Sequence, residues 1–86
     1  MADFPYEISQ HAAVVIADRA ISLDWIRRTL ENPYATEIDQ DDPILRHALA
    51  LIPEYGGRTL RVVYNPASTP WRIVTCFFDR RVKGSP

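Results

Sequence analysis

The sequence predicts an α+β domain in which two N-terminal helices pack on one face of a four- to five-stranded, mainly antiparallel sheet. Three observations carry that prediction. Apolar residues recur at helical spacing between Gln10 and Glu31. After Pro33 the period shortens toward two, with β-branched and aromatic runs. Proline and glycine punctuate that second half at Pro43, Pro53, Gly56-Gly57, Pro66 and Pro70, the breaks expected between short strands.

The elements follow in order. Tyr6-Glu7-Ile8 after Pro5 reads as a short edge strand. Ser9 is an N-cap for a helix over Gln10–Ala20, with Ala12, Val15, Ile16 and Arg19 at helical spacing. Ser22 caps a second helix, in which Leu23, Ile26 and Leu30 form a stripe widened by Trp25 and Thr29. Asp24 suits the positive end of that helix and stands four residues before Arg28, while Asn32-Pro33 ends it. Tyr34–Gln40 is a weakly alternating strand, and Asp41-Asp42-Pro43 a turn. Ile44–Ile52 is ambiguous: alanine and leucine favour helix, but Leu45, His47, Leu49 and Leu51 alternate with Arg46, Ala48, Ala50 and Ile52. Arg58–Asn65 is the clearest strand, and Trp71–Asp79 returns from a loop over Asn65–Pro70. The predicted order is β-α-α-β-β-β-β. Helices on one face leave the other face of the sheet for function.

With 86 residues the chain reads as one domain, its first five and last three residues loosely attached. The net charge of −1 conceals an asymmetry: residues 1–54 hold four basic and ten acidic side chains, and residues 55–86 hold six and one. An anionic partner for the basic half, or self-pairing, is the expected consequence. The single cysteine, Cys76, excludes an intrachain disulfide and a multi-cysteine zinc site, and its apolar neighbours mark it as a buried strand thiol. The longest apolar run, Ala12–Ala17, is far short of the ~20 residues of a membrane span, and the N-terminus lacks the basic cluster of a signal peptide. A cytoplasmic protein without membrane contact is expected, and no cofactor or metal is implied by the spacing of histidine and cysteine.

The candidate site residues are cations and proton carriers. Arg61 interrupts an apolar strand; with Leu60, Val62 and Tyr64 on the core side, it is expected on the exposed face, either paired with Glu37 or Asp39 or aimed at phosphate. Arg58, Arg80 and Arg81 are further phosphate-binding candidates, with alternation allowing only one of Arg80 and Arg81 to join Arg61. His47, His11 and Tyr64 are the proton-transfer candidates. Trp71 beside Arg72 offers a surface for base stacking.

Ser9-x-His11-Ala12, Arg19-Ala20-Ile21, Trp25-Ile26 through Leu30 and Pro33 form one ordered set of motifs. Gly57-Arg58-x-Leu60-Arg61-Val62-Val63 and Ile73-Val74-Thr75-x-Phe77-x-Asp79-Arg80-Arg81 form a second. Over residues 6–84 they resemble a small bacterial domain family of uncharacterised function related to the BrnT-type and RelE/ParE-type toxins. Val15 stands where many relatives carry arginine. The resemblance implies a toxin of a type II toxin–antitoxin pair, often a metal-independent endoribonuclease. In it the RNA 2′-hydroxyl attacks the neighbouring phosphate, with Arg61 and Arg80 or Arg81 as clamps and His47, His11 or Tyr64 moving protons. RNA, a cognate antitoxin and a second copy of the chain are the partners so implied. A different reading stands beside it: a non-enzymatic module whose basic C-terminal strands dock an acidic partner, or the acidic Glu37–Asp42 segment of another copy.

Overall fold

Ser9 and Ser22 start the two helices as side-chain caps. In the computed structural model, which describes residues 4–80, the Ser9 hydroxyl accepts from the Ala12 N–H at 3.0 Å and donates to the Val74 carbonyl at 3.0 Å. It therefore ends strand β1 (Glu7–Ile8), begins helix α1 (Gln10–Arg19) and ties both to the sheet. Helix α1 stops at Ala20, held in the left-handed region with φ 54°, and its N–H returns to the last turn. The Ser22 hydroxyl accepts from Asp24 N–H to open helix α2 (Leu23–Glu31).

The remaining chain forms β2 (Ala35–Ile38), β3 (Arg46–Ile52), a short 3₁₀ turn at Pro53–Tyr55, β4 (Arg58–Asn65) and β5 (Arg72–Phe78). The strands lie in the order β1-β5-β4-β3-β2. All neighbours are antiparallel except β1, which pairs parallel with β5 through Glu7↔Arg72 and Ile8↔Ile73. The expected α+β architecture holds, and the ambiguous Ile44–Ile52 segment is strand from Arg46 onward. Its period of two prevails over the helix preference of alanine and leucine because both its edges are taken, by β2 and by β4.

Alternation assigns the two faces. Ala48, Ala50 and Ile52 of β3, Leu60, Val62 and Tyr64 of β4, and Ile73 and Cys76 of β5 turn toward the helices, where Ala12, Ile21, Ile26 and Leu30 meet most of them. Ile26, Ile52, Leu60 and Ile73 are among the fully buried side chains, each worth ~1.5–3 kcal/mol of transfer free energy. Arg28 of α2 donates twice to Glu54, pinning the 3₁₀ turn beneath the helix. Trp25, Tyr55 and Phe78 pack as a ring cluster at that end. Among the described residues no helix is long and apolar enough to cross a membrane.

Candidate functional site

Arg61 stands mid-way along the central strand, on the face away from the helices, as the strand parity requires. Its exposure does not follow the expectation: the residue is only 6% accessible, among Leu49, Thr59 and Val63, which are buried on the same face. The reason is a set of partners from three other segments. Arg61 Nε donates to Asp79 Oδ2 at 2.9 Å, and Nη1 donates to Glu37 Oε1 at 2.8 Å and to His47 Nδ1 at 2.9 Å. A guanidinium can be buried when its charge and its donors are answered in this way. Burial works to lower its pKa, but the hydrogen bonds and charges of Glu37 and Asp79 outweigh it and hold the pKa above its ordinary value.

His47 completes a chain of contacts. A guanidinium nitrogen has only hydrogens to offer, so Nδ1 of His47 is an acceptor and its proton rests on Nε2. That Nε2–H donates to Asp39 Oδ1 at 2.6 Å. The imidazole bond, reinforced by the N–H groups of Asp42 and Asp41 and opposed by partial burial, holds the Asp39 carboxyl below its usual value. Asp39, His47 and Arg61 therefore form a relay with the ring in one tautomer, a carboxylate on one nitrogen and a cation at the other. Nη2 of Arg61 makes no hydrogen bond among the described residues. Glu37, Asp39, His47, Arg61 and Phe77 line a shallow cleft of about 480 Å³ over this relay.

Of the residues singled out in the sequence, Arg61 and His47 are brought together, while Tyr64, His11, Arg58 and Arg80 lie away from them. Tyr64 lies on the helix side of the sheet, stacked on Trp71 at 4.8 Å between ring centres, with burial raising its hydroxyl pKa. Trp71 also stacks with Tyr6 at 6.1 Å, so its ring is engaged by two tyrosines of the fold. His11 is exposed at the start of α1. Arg58 and Arg80 line a second groove of about 340 Å³, beside α1, with Arg19, Val14 and residues 75–78 of β5. Arg58 lies 5.0 Å over the Tyr55 ring. Arg81 falls outside the described residues. Cys76 is buried, and desolvation pushes its thiol up to about 11, as a strand thiol in the core should behave.

Of the two partners the sequence offers for Arg61, Glu37 takes that place and Asp39 goes to His47 instead, while Asp79 is a partner the sequence reading does not name; strand parity carries the signal for all three. Glu37 and Asp39 share one face of β2 and its extension, and Glu37 is the cross-strand partner of His47. Asp79 lies two residues beyond Phe77, the partner of Arg61. No group of three or more histidine, cysteine, aspartate and glutamate side chains among the described residues is arranged to hold a metal ion.

Two helices over a five-stranded sheet, with a carboxylate–imidazole–guanidinium relay under a polar cleft on the opposite face, define a small α+β domain. The chain belongs to the family described as Domain of unknown function (DUF4258), whose model matches residues 8–78. No curated protein and no solved structure matches it.

Proposed function

We propose that this domain is toxin-like and cleaves RNA without a metal, through the Asp39–His47–Arg61 relay. One observation carries the reading: Asp39 holds the Nε2 proton of His47, leaving Nδ1 as an acceptor directed at a guanidinium whose Nη2 bonds no described residue. A phosphate drawn to Nη1 and Nη2 together would take a bidentate hold, the geometry arginine provides best. It displaces Glu37, whose side chain is 55% exposed, and turns Nη1 away from His47. Nε stays on Asp79, so the cation keeps its place.

The freed Nδ1 then takes the proton of the 2′-hydroxyl as its oxygen attacks the adjacent phosphorus. The bond from phosphorus to the next nucleotide's 5′ oxygen breaks, and the imidazolium returns its proton to that oxygen. The products are a 2′,3′-cyclic phosphate and a 5′-hydroxyl, with His47 neutral again. Asp39 stabilises the transient imidazolium, the role a carboxylate plays in a histidine dyad. The resemblance of the sequence motifs to BrnT-type and RelE/ParE-type toxins supports the same class of activity and, with it, a cognate antitoxin as partner.

The test is purified protein with single-stranded RNA, alongside expression in growing cells with transcript integrity followed. Cleavage with cyclic-phosphate ends, lost in His47→Ala and blocked by a 2′-deoxy nucleotide at the cut site, is the expected result. Intact RNA in both settings would overturn the proposal. A second reading, a non-enzymatic binding module, is favoured by one fact: the chain's own carboxylates already satisfy Nε and Nη1 of Arg61.

A further inference from the structure

The groove beside α1 has a feature the cleft over Arg61 lacks. Four successive residues of β5, Thr75 to Phe78, line it. Successive side chains point to opposite faces of a sheet, so an unbroken run at one groove means that the strand's edge faces it. That edge belongs to a lane which β1 begins. Glu7 N–H donates to the Trp71 carbonyl, Ser9 N–H to Ile73, and the Ser9 hydroxyl to Val74. There Ser9 caps α1 and the chain leaves. From Thr75 to Phe78, about 13 Å of strand at the usual rise, no described residue pairs with this side of β5.

The surroundings of the lane specify what fits. Val14 on α1 is 62% exposed and forms an apolar wall. Arg58 and Arg80 make no ion pair with any described residue, and Arg19 meets only its exposed neighbour Asp18 at 3.9 Å. An edge strand presents alternating N–H and C=O groups, which another extended polypeptide matches and a phosphodiester backbone, made of acceptors, does not. We propose that β5 residues 75–78 receive an extended acidic segment of a partner protein, which adds a strand in the lane β1 opens and sets its carboxylates against Arg58 and Arg80. The proposal stands independently of RNA cleavage at His47.

The experiment uses the full chain, isotope-labelled, with a capped peptide alternating glutamate and valine and a lysine–valine peptide as control. The acidic peptide is expected to shift the amides of residues 75–78 and to give inter-strand contacts to them. Its affinity should fall as salt rises, and each of Arg58→Ala and Arg80→Ala should weaken it by about two- to fivefold, the range of an exposed charge pair. Equal binding of the lysine peptide, or no binding of either, overturns the proposal. So do shifts confined elsewhere, or contacts from residues 81–86 to residues 75–78 in the free protein, which would make the chain's own end the occupant. Concentration-dependent self-association through the same amides would assign the lane to a second copy. An oligouridylate that displaces the peptide and shifts the arginines without inter-strand contacts would assign it to nucleic acid.

Discussion

Replacing Arg61 by methionine tests the idea that the relay is an internal part of the fold and only secondarily a ligand site. Methionine is unbranched and of similar length, so it fills the space with little steric change while removing the charge and the donors. The consequence falls on Asp79, whose side chain is 2% exposed and which accepts from Arg61 Nε at 2.9 Å. Removing one member of a buried ion pair destabilises by ~3–5 kcal/mol, because the buried carboxylate loses the cation and the donor that offset its desolvation. Domains hold ~0.05–0.15 kcal/mol per residue, or about 4–13 kcal/mol for a chain of 86. The substitution is therefore expected to remove a large fraction of the stability and to lower Tm by about 12–40 °C, at ~4–8 °C per kcal/mol for this size. Glu37→Gln is the internal control: Glu37 reaches the same guanidinium at 2.8 Å, but its side chain is 55% exposed, so the loss should stay within ~1 kcal/mol. Urea unfolding of the three proteins, with m-values compared, measures both. An Arg61→Met loss below ~1 kcal/mol, or one no larger than that of Glu37→Gln, would refute the assignment of a buried, compensated cation.

Two further outcomes are expected. Ser9→Ala should cost about 1–2 kcal/mol in urea unfolding, because one hydroxyl both caps α1 and holds the Val74 carbonyl, and a loss under ~0.5 kcal/mol would contradict the double role. Asp39 has a folded pKa below its ordinary 3.8, with the His47 hydrogen bond as the main cause, so its contribution is present above that value and is lost as pH falls toward the folded value. Asp39→Asn should accordingly flatten the fall in stability between neutrality and pH below 3.8, and an unchanged acid limb would count against the His47–Asp39 bond.

The legible parts of the fold are those that local pattern controls. Arg58–Asn65 is a strand at both predicted ends, since β-branched and aromatic residues there coincide with period-two alternation and a preceding Gly-Gly turn. The caps at Ser9 and Ser22 are equally local. The face of Arg61 follows from parity, but its burial does not: that depends on Glu37 and Asp39 arriving from across β3 and on Asp79 arriving from beyond β5. Trp71 illustrates the same limit. Its stacking partner Tyr6 comes from the other end of the chain, carried there by the parallel β1–β5 pairing, a non-local contact that no window of sequence contains.

The charge asymmetry of the chain acquires a spatial meaning from these contacts. In sequence the basic half runs from Arg58 and Arg61 to Lys83, and the densest acidic stretch is Glu37–Asp42. In the fold, β3 brings that stretch opposite β4, so Glu37 neutralises Arg61 directly and Asp39 secures its imidazole neighbour. Opposite charges 24 and 18 residues apart are thus cancelled on the central strand, while Arg58 and Arg80 stay without an ion pair to any described residue beside β5. An anion approaching from a distance is drawn toward that edge, because the carboxylates around Arg61 oppose its field. The cleft over His47 can therefore hold phosphate only by close, directional contact with Nη1 and Nη2, and its affinity should depend weakly on salt. The edge groove binds through exposed cations, and its affinity should fall steeply as salt is added. Salt dependence, measured at each site, separates the two even before any ligand is identified.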